Sequence, residues 1–71
     1  MSKQCRRVLE YLELYGSITQ FEALRDLGIM RLAARIFDLR SKWGIPIEDE
    51  NVHDVNRMGE PISYKRYKKV A

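Results

Sequence analysis

Arg31 and Arg35 stand four residues apart, so on a helix their guanidinium groups lie one turn apart on one face. A guanidinium is planar and permanently charged, and its paired donors match guanine O6 and N7 or two phosphate oxygens. The chemistry these two residues can do is recognition of an anionic duplex rather than catalysis. Asp38 offers a competing role, because an ion pair with either arginine would hold that side chain on the protein surface. Lys42, near the end of the same segment, suits a phosphate and equally suits the negative end of a helix dipole.

Further candidates flank this pair. Thr19 and Gln20 open an earlier helix, whose backbone N–H groups can receive a phosphate, although capping alone would explain Thr19. Arg57 lies in a turn and can enter a minor groove. Lys65, Arg66, Lys68 and Lys69 interleave with the tyrosines of a strand, where they either follow a phosphate backbone or keep an edge from aggregating. His53 stands alone among Glu48, Asp49, Glu50 and Asp54, with no second histidine to complete a ligand set. Cys5 falls on an apolar stripe and reads as an inert buried thiol. No nucleophile with its base, phosphate-cradling loop or carboxylate dyad stands out, so no enzyme and no cofactor are expected.

These residues need elements to hold them. Thr19 and Glu22 have the spacing of a capping box, which starts a helix at Gln20. Leu27-Gly28-Ile29 closes it, since glycine accepts the left-handed conformation and the flanking apolar residues can enter a core. Leu32, Ile36, Leu39 and Trp43 then recur at helical spacing as a buried stripe, leaving Arg31, Ala34, Arg35, Asp38 and Lys42 on the opposite side. Trp43 is expected across the base of the core, with its indole N–H on a carbonyl or water.

Upstream, Ser2 caps a first helix with a stripe of Cys5, Val8, Leu9, Leu12 and Tyr15, and Arg6 pairs with Glu10 on its wet side. Tyr11 and Leu14 fall off that stripe, either partly covered by the C-terminal strands or free as a partner surface. In the short connector Gly16-Ser17-Ile18, Ile18 can pair its backbone with a later strand. Downstream, Pro46 belongs at a strand start, residues 48–55 alternate poorly, NRMGEP reads as a turn, and ISYKRYKK reads as a strand. The expected helices cover residues 3–15, 20–27 and 30–42, and a β-hairpin covers residues 45–69, in one domain over residues 1–71. The fold class is α+β, a three-helix core followed by a hairpin wing.

A chain of 71 residues is near the lower limit for a core without crosslinks or metals. A single cysteine fits a reducing compartment, and no secretory signal or membrane span is visible, so a cytoplasmic location is expected. The net charge of +3 hides a segregation: residues 46–56 hold four acids and no Lys or Arg, whereas residues 57–71 hold five Lys or Arg and one acid.

The segment GSITQFEALRDLGIMRLAARIFDLRSKWGIPI, Gly16 to Ile47, resembles the small winged helix-turn-helix proteins of bacteriophages and prophages. The GSIT connector, the LGI turn and the LAARIFDLR run carry the likeness. It departs from the general pattern at Leu24, where alanine is usual, in the short interval from Gly28 to Leu32, and at Trp43, where relatives tend to have glycine. The resemblance implies a double-stranded DNA-binding protein, frequently a regulator of transcription, with the third helix in the major groove and the wing on backbone or minor groove. A footprint this small would call for a homodimer or adjacent copies on DNA. An excisionase-like architectural factor belongs to the same class. The rival from another class is a protein-interaction module, such as a phage protein that binds a host factor, motivated by the acidic segment with Tyr11, Leu14 and Met58.

Overall fold

The computed structural model describes residues 1–70. Helix α1 (Lys3–Tyr15) begins where Ser2 Oγ accepts the Cys5 N–H at 3.1 Å and ends at Gly16. Its core face is Cys5, Val8, Tyr11 and Leu12. The stripe expected from spacing includes Tyr15 and omits Tyr11; the two exchange places. Tyr11 is only 8% exposed and donates its hydroxyl hydrogen to Asp26 Oδ2 at 2.7 Å, while Tyr15, on the last turn, overhangs the core and leans on the Tyr11 ring, centroids 4.6 Å apart. Leu14 is exposed, not covered by the strands. Glu10 pairs with Arg7 at 3.5 Å, in place of Arg6.

Strand β1 (Ser17–Thr19) runs directly into α2 (Gln20–Glu22), and the expected capping box is present: Glu22 N–H donates to Thr19 Oγ1 at 3.2 Å and Thr19 N–H to Glu22 Oε1 at 2.9 Å. The helix then widens into a π-helical segment, Ala23–Leu27. Gly28, at φ +69°, closes it with its N–H on Leu24 O, and Ile29 N–H reaches back to Ala23 O. Ala23 and Ile29 are buried and Leu27 half-buried, while Leu24 points outward. Ala23 therefore supplies the small contact that lets this segment approach the core.

Helix α3 spans Leu32–Trp43, starting two residues later than the spacing predicts. Arg31 is its N-cap at φ −119°, ψ 63°, outside the helix, so Arg31 and Arg35 do not share a helical face. Leu32, Ile36 and Leu39 form the buried stripe, but Trp43 is 41% exposed. The expected stack of the indole across the core base is absent because the chain turns at Gly44, and Ile45 and Ile47 supply the apolar contacts that follow α3.

Strands β2 (Ile47–Val55) and β3 (Pro61–Lys69) pair in unbroken antiparallel register from Ile47↔Lys69 to Val55↔Pro61. β1 adds to the other edge of β3 through Ile18↔Tyr67, as expected for Ile18, giving the order β1-β3-β2. Within the hairpin only Ile47 and Tyr67 are buried. Its distal half meets solvent on both faces, which is why residues 48–55 show so little apolar alternation. Three helices on a small sheet, with this projecting hairpin, give the α+β architecture that the element order predicts, 40 × 23 × 20 Å in extent.

Candidate nucleic-acid interface

The entry to α3 is built by a residue that lies far from it in the chain. Arg31 makes no side-chain cap, leaving the first N–H groups of α3 without a local acceptor. Gln20 supplies one: its Oε1 accepts the Leu32 N–H at 2.9 Å, and its Nε2 donates to Ile29 O at 2.8 Å. One amide thus joins the start of α2 to both sides of the turn and sets where α3 begins. With both ends of its amide occupied and Thr19 buried in the capping box, neither side chain is poised for a phosphate.

Around that entry, Met30, Arg31, Ala33 and Phe37 are exposed. Arg31 makes no ion pair. Arg35 is engaged: Nη1 donates to Gln4 Oε1 at 3.1 Å, Nη2 lies 3.4 Å from Asp38 Oδ2, Nε is buried without a partner, and the side chain is 30% exposed. It braces α3 against α1 instead of pointing freely outward. Asp38 also stands 4.0 Å from Lys42 Nζ, a long contact that leaves Lys42 largely in solvent.

Arg40, which the spacing does not single out, ties α3 to the wing. Its Nε and Nη2 donate to Ile47 O at 2.9 and 2.7 Å, Nη2 lies 3.4 Å from Asp49, and the guanidinium sits 6.0 Å from the Tyr67 ring centroid. No periodicity could have revealed a contact to a backbone carbonyl seven residues on; only the turn at Gly44 brings Ile47 back.

The charge segregation of the C-terminal third closes on itself. Register places β2 beside β3, so Lys65 meets Asp49 at 2.7 Å, and Glu50 takes Arg66 at 3.6 Å and Lys68 at 3.1 Å. Lys69 reaches Glu13 of α1 at 3.5 Å. The Lys65 ammonium holds Asp49 below the usual carboxylate range, and Asp49 in turn raises Lys65. Lys65 and Arg66 are therefore occupied by the protein's own acids.

Arg57 is different. It rides a tip in which Asn56 Oδ1 accepts the N–H groups of Met58 at 2.9 Å and Glu60 at 3.0 Å, with Gly59 at φ +80°. That tip presents Arg57 and Met58 outward. Among the described residues, the Lys and Arg side chains without an ion pair are Lys3, Arg6, Arg31 and Arg57. Arg6, whose spacing predicts a pair with Glu10, is free because Arg7 takes that acid, while nothing in the sequence singles out Lys3.

A second charged cluster lies behind the turn. Asp26 accepts from Arg25 Nε at 2.7 Å and Nη2 at 3.0 Å as well as from Tyr11. The Arg25 bond first, then the Tyr11 bond, draws the Asp26 carboxyl down to about 2; the Asp26 bond, then burial, pushes Tyr11 up to about 12. The Tyr11–Asp26 hydrogen bond ties the π-helical segment to α1. No group of three or more His, Cys, Asp or Glu able to hold a metal occurs among the described residues, and no helix there is long and apolar enough to cross a membrane.

Residues 3–68 match the family model described as a winged helix-turn-helix domain. No curated protein and no solved structure matches the chain.

Proposed function

The chain belongs to the winged helix-turn-helix family, and from that premise we propose that it is a double-stranded DNA-binding protein. The observation that carries this reading is the unpaired Arg31 at the exposed entry to α3, with the unpaired Arg57 at the wing tip. A helix entry set on a packed base, with a cation beside it, suits a major groove, and an arginine on a projecting turn suits the adjoining minor groove or backbone. Lys42 is the third contact, on phosphate. The resemblance of Gly16 to Ile47 to small phage and prophage proteins supports a regulator of transcription acting in the cytoplasm as one domain. A domain this small would bind as a homodimer or as adjacent copies.

The test is selection of bound duplexes from a random library with the 71-residue chain, followed by titration of wild type, Arg31→Ala and Arg57→Ala on the selected site. Enrichment of a defined sequence, with weaker binding by both variants, is expected. No enrichment, or variants that bind as wild type does, would contradict it. Bending of the selected duplex on binding would favour an excisionase-like architectural role over simple repression.

A protein-interaction role is the second reading, and one observation favours it: a groove of about 450 Å³ between α2 and the outer face of the hairpin, with Phe21, Ile62 and Tyr64 in its lining. Its earlier motivation is weaker, since Tyr11 is buried and Asp49 and Glu50 are paired within the sheet. Leu14 and Met58 remain exposed.

A further inference from the structure

The leading half of the solvent-facing strip of α3 carries no charge. Ala33 and Phe37 stand four residues apart and both are exposed, Phe37 at 67%, with Ala34 half-buried beside them and Met30, 77% exposed, just ahead of the helix. Of the charged residues of α3, Arg35 turns to Asp38 and Arg40 is held on Ile47 O, while Lys42, 4.0 Å from Asp38, stays largely in solvent near the far end of the helix. Even Ser41, one turn beyond Phe37, spends its hydroxyl hydrogen on Phe37 O at 2.7 Å. The strip therefore offers a ligand almost nothing but apolar surface, with one cation, Arg31, at its leading end.

In a major groove, the base-edge feature that such a surface can read is the C5-methyl of thymine. Hydrogen-bonded recognition of guanine or adenine needs free donors or acceptors, and these are missing from the middle of α3. Ala33 leaves the helix backbone open to close approach, while Phe37 reaches further from the next turn. Resting on the DNA-binding reading above, we infer that α3 selects its site by packing Ala33 and Phe37 against thymine methyl groups, with Arg31 anchoring the helix entry on guanine or phosphate. The occupant of this strip is the duplex, because the apolar surface starts beside an unpaired cation, Arg31, at the exposed entry to α3.

Uracil substitution tests this directly, since deoxyuridine removes only the methyl and keeps every hydrogen-bonding edge. The selected duplex and its all-uracil counterpart are titrated with the full chain, Phe37→Ala and Phe37→Leu, with circular dichroism confirming that the variants fold. Wild type should bind the uracil duplex more weakly by about fourfold for each methyl it buries. Phe37→Ala should lose that discrimination while Phe37→Leu keeps part of it. Equal affinity for both duplexes, with sequence preference intact, would overturn the methyl reading and leave DNA binding standing. Failure to bind either duplex, together with a dimer that Phe37→Ala dissociates in sedimentation, would overturn both and assign the strip to protein contact.

Discussion

The stem of the wing and the entry to α3 both carry cations, and they use them in opposite ways. Lys65, Arg66 and Lys68 crowd into four residues of β3, yet each has a β2 carboxylate within 3.6 Å. Arg31 is a single residue with no acid partner, next to a surface that carries no charge. A phosphate approaching the stem must displace Asp49 or Glu50 and then endure their repulsion; one approaching Arg31 meets neither obstacle. Charge density along a chain is thus a poor guide to charge presented at a surface. Strand register decides which cations are spent inside the molecule.

Substitutions on each side of that contrast should separate widely. Removing Arg31 or Arg57 should cost about 1 to 3 kcal/mol of DNA binding each, read by anisotropy on the selected duplex. Lys65→Ala should change affinity by less than about fivefold and leave stability almost unchanged, because exposed ion pairs contribute little. If Lys65→Ala matched Arg31→Ala in affinity, the contrast would be broken.

Gln20→Ala addresses how the α3 entry is held. It leaves the Leu32 N–H and the Ile29 carbonyl without their partner, and urea unfolding should show a loss of about 1 to 3 kcal/mol. Gln20→Glu keeps an acceptor for Leu32 but no donor for Ile29, so its loss should be smaller. An unchanged urea midpoint with weakened DNA binding would instead make Gln20 a direct phosphate contact.

The smallest effect expected is a pH dependence from Asp26 and Tyr11. The folded-state carboxyl titrates near 2, below its ordinary value, so the unfolded chain binds more protons in the acid range. Stability from this group is complete above about pH 4 and is lost as pH falls toward 2. Tyr11 runs the other way: its pKa is raised to about 12, so its contribution is present below pH 10 and disappears as pH rises through 12. Thermal melts at pH 5 and pH 2.5 should differ less for Asp26→Asn than for wild type.

Much of the architecture was legible because it rests on local chemistry. Ser2, the Thr19–Glu22 box and the Leu27-Gly28-Ile29 close each act within a few residues, and Leu32, Ile36 and Leu39 follow a single period. Ile18 on the edge of β3 followed from its place in a short connector. What stayed hidden depends on contacts across the chain. The late start of α3 follows from a side chain twelve residues upstream, and the burial of Tyr11 follows from an acid fifteen residues downstream. The candidate site was legible as a region rather than as a residue set. Arg31 and Arg57 emerge unpaired, whereas Arg35, Lys65, Arg66, Thr19 and Gln20 are engaged in holding the fold.

The measurement that bears most directly on this division is the salt dependence of affinity for the selected duplex. Each neutralised phosphate contributes about −0.9 to the slope of log affinity against log salt. Binding through a few unpaired cations, with the stem spent internally, predicts a slope of about −2 to −4 that becomes shallower by about 1 in Arg31→Ala and again in Arg57→Ala, and does not change in Lys65→Ala. A slope near −8, or one that Lys65→Ala alters and Arg31→Ala does not, would contradict it.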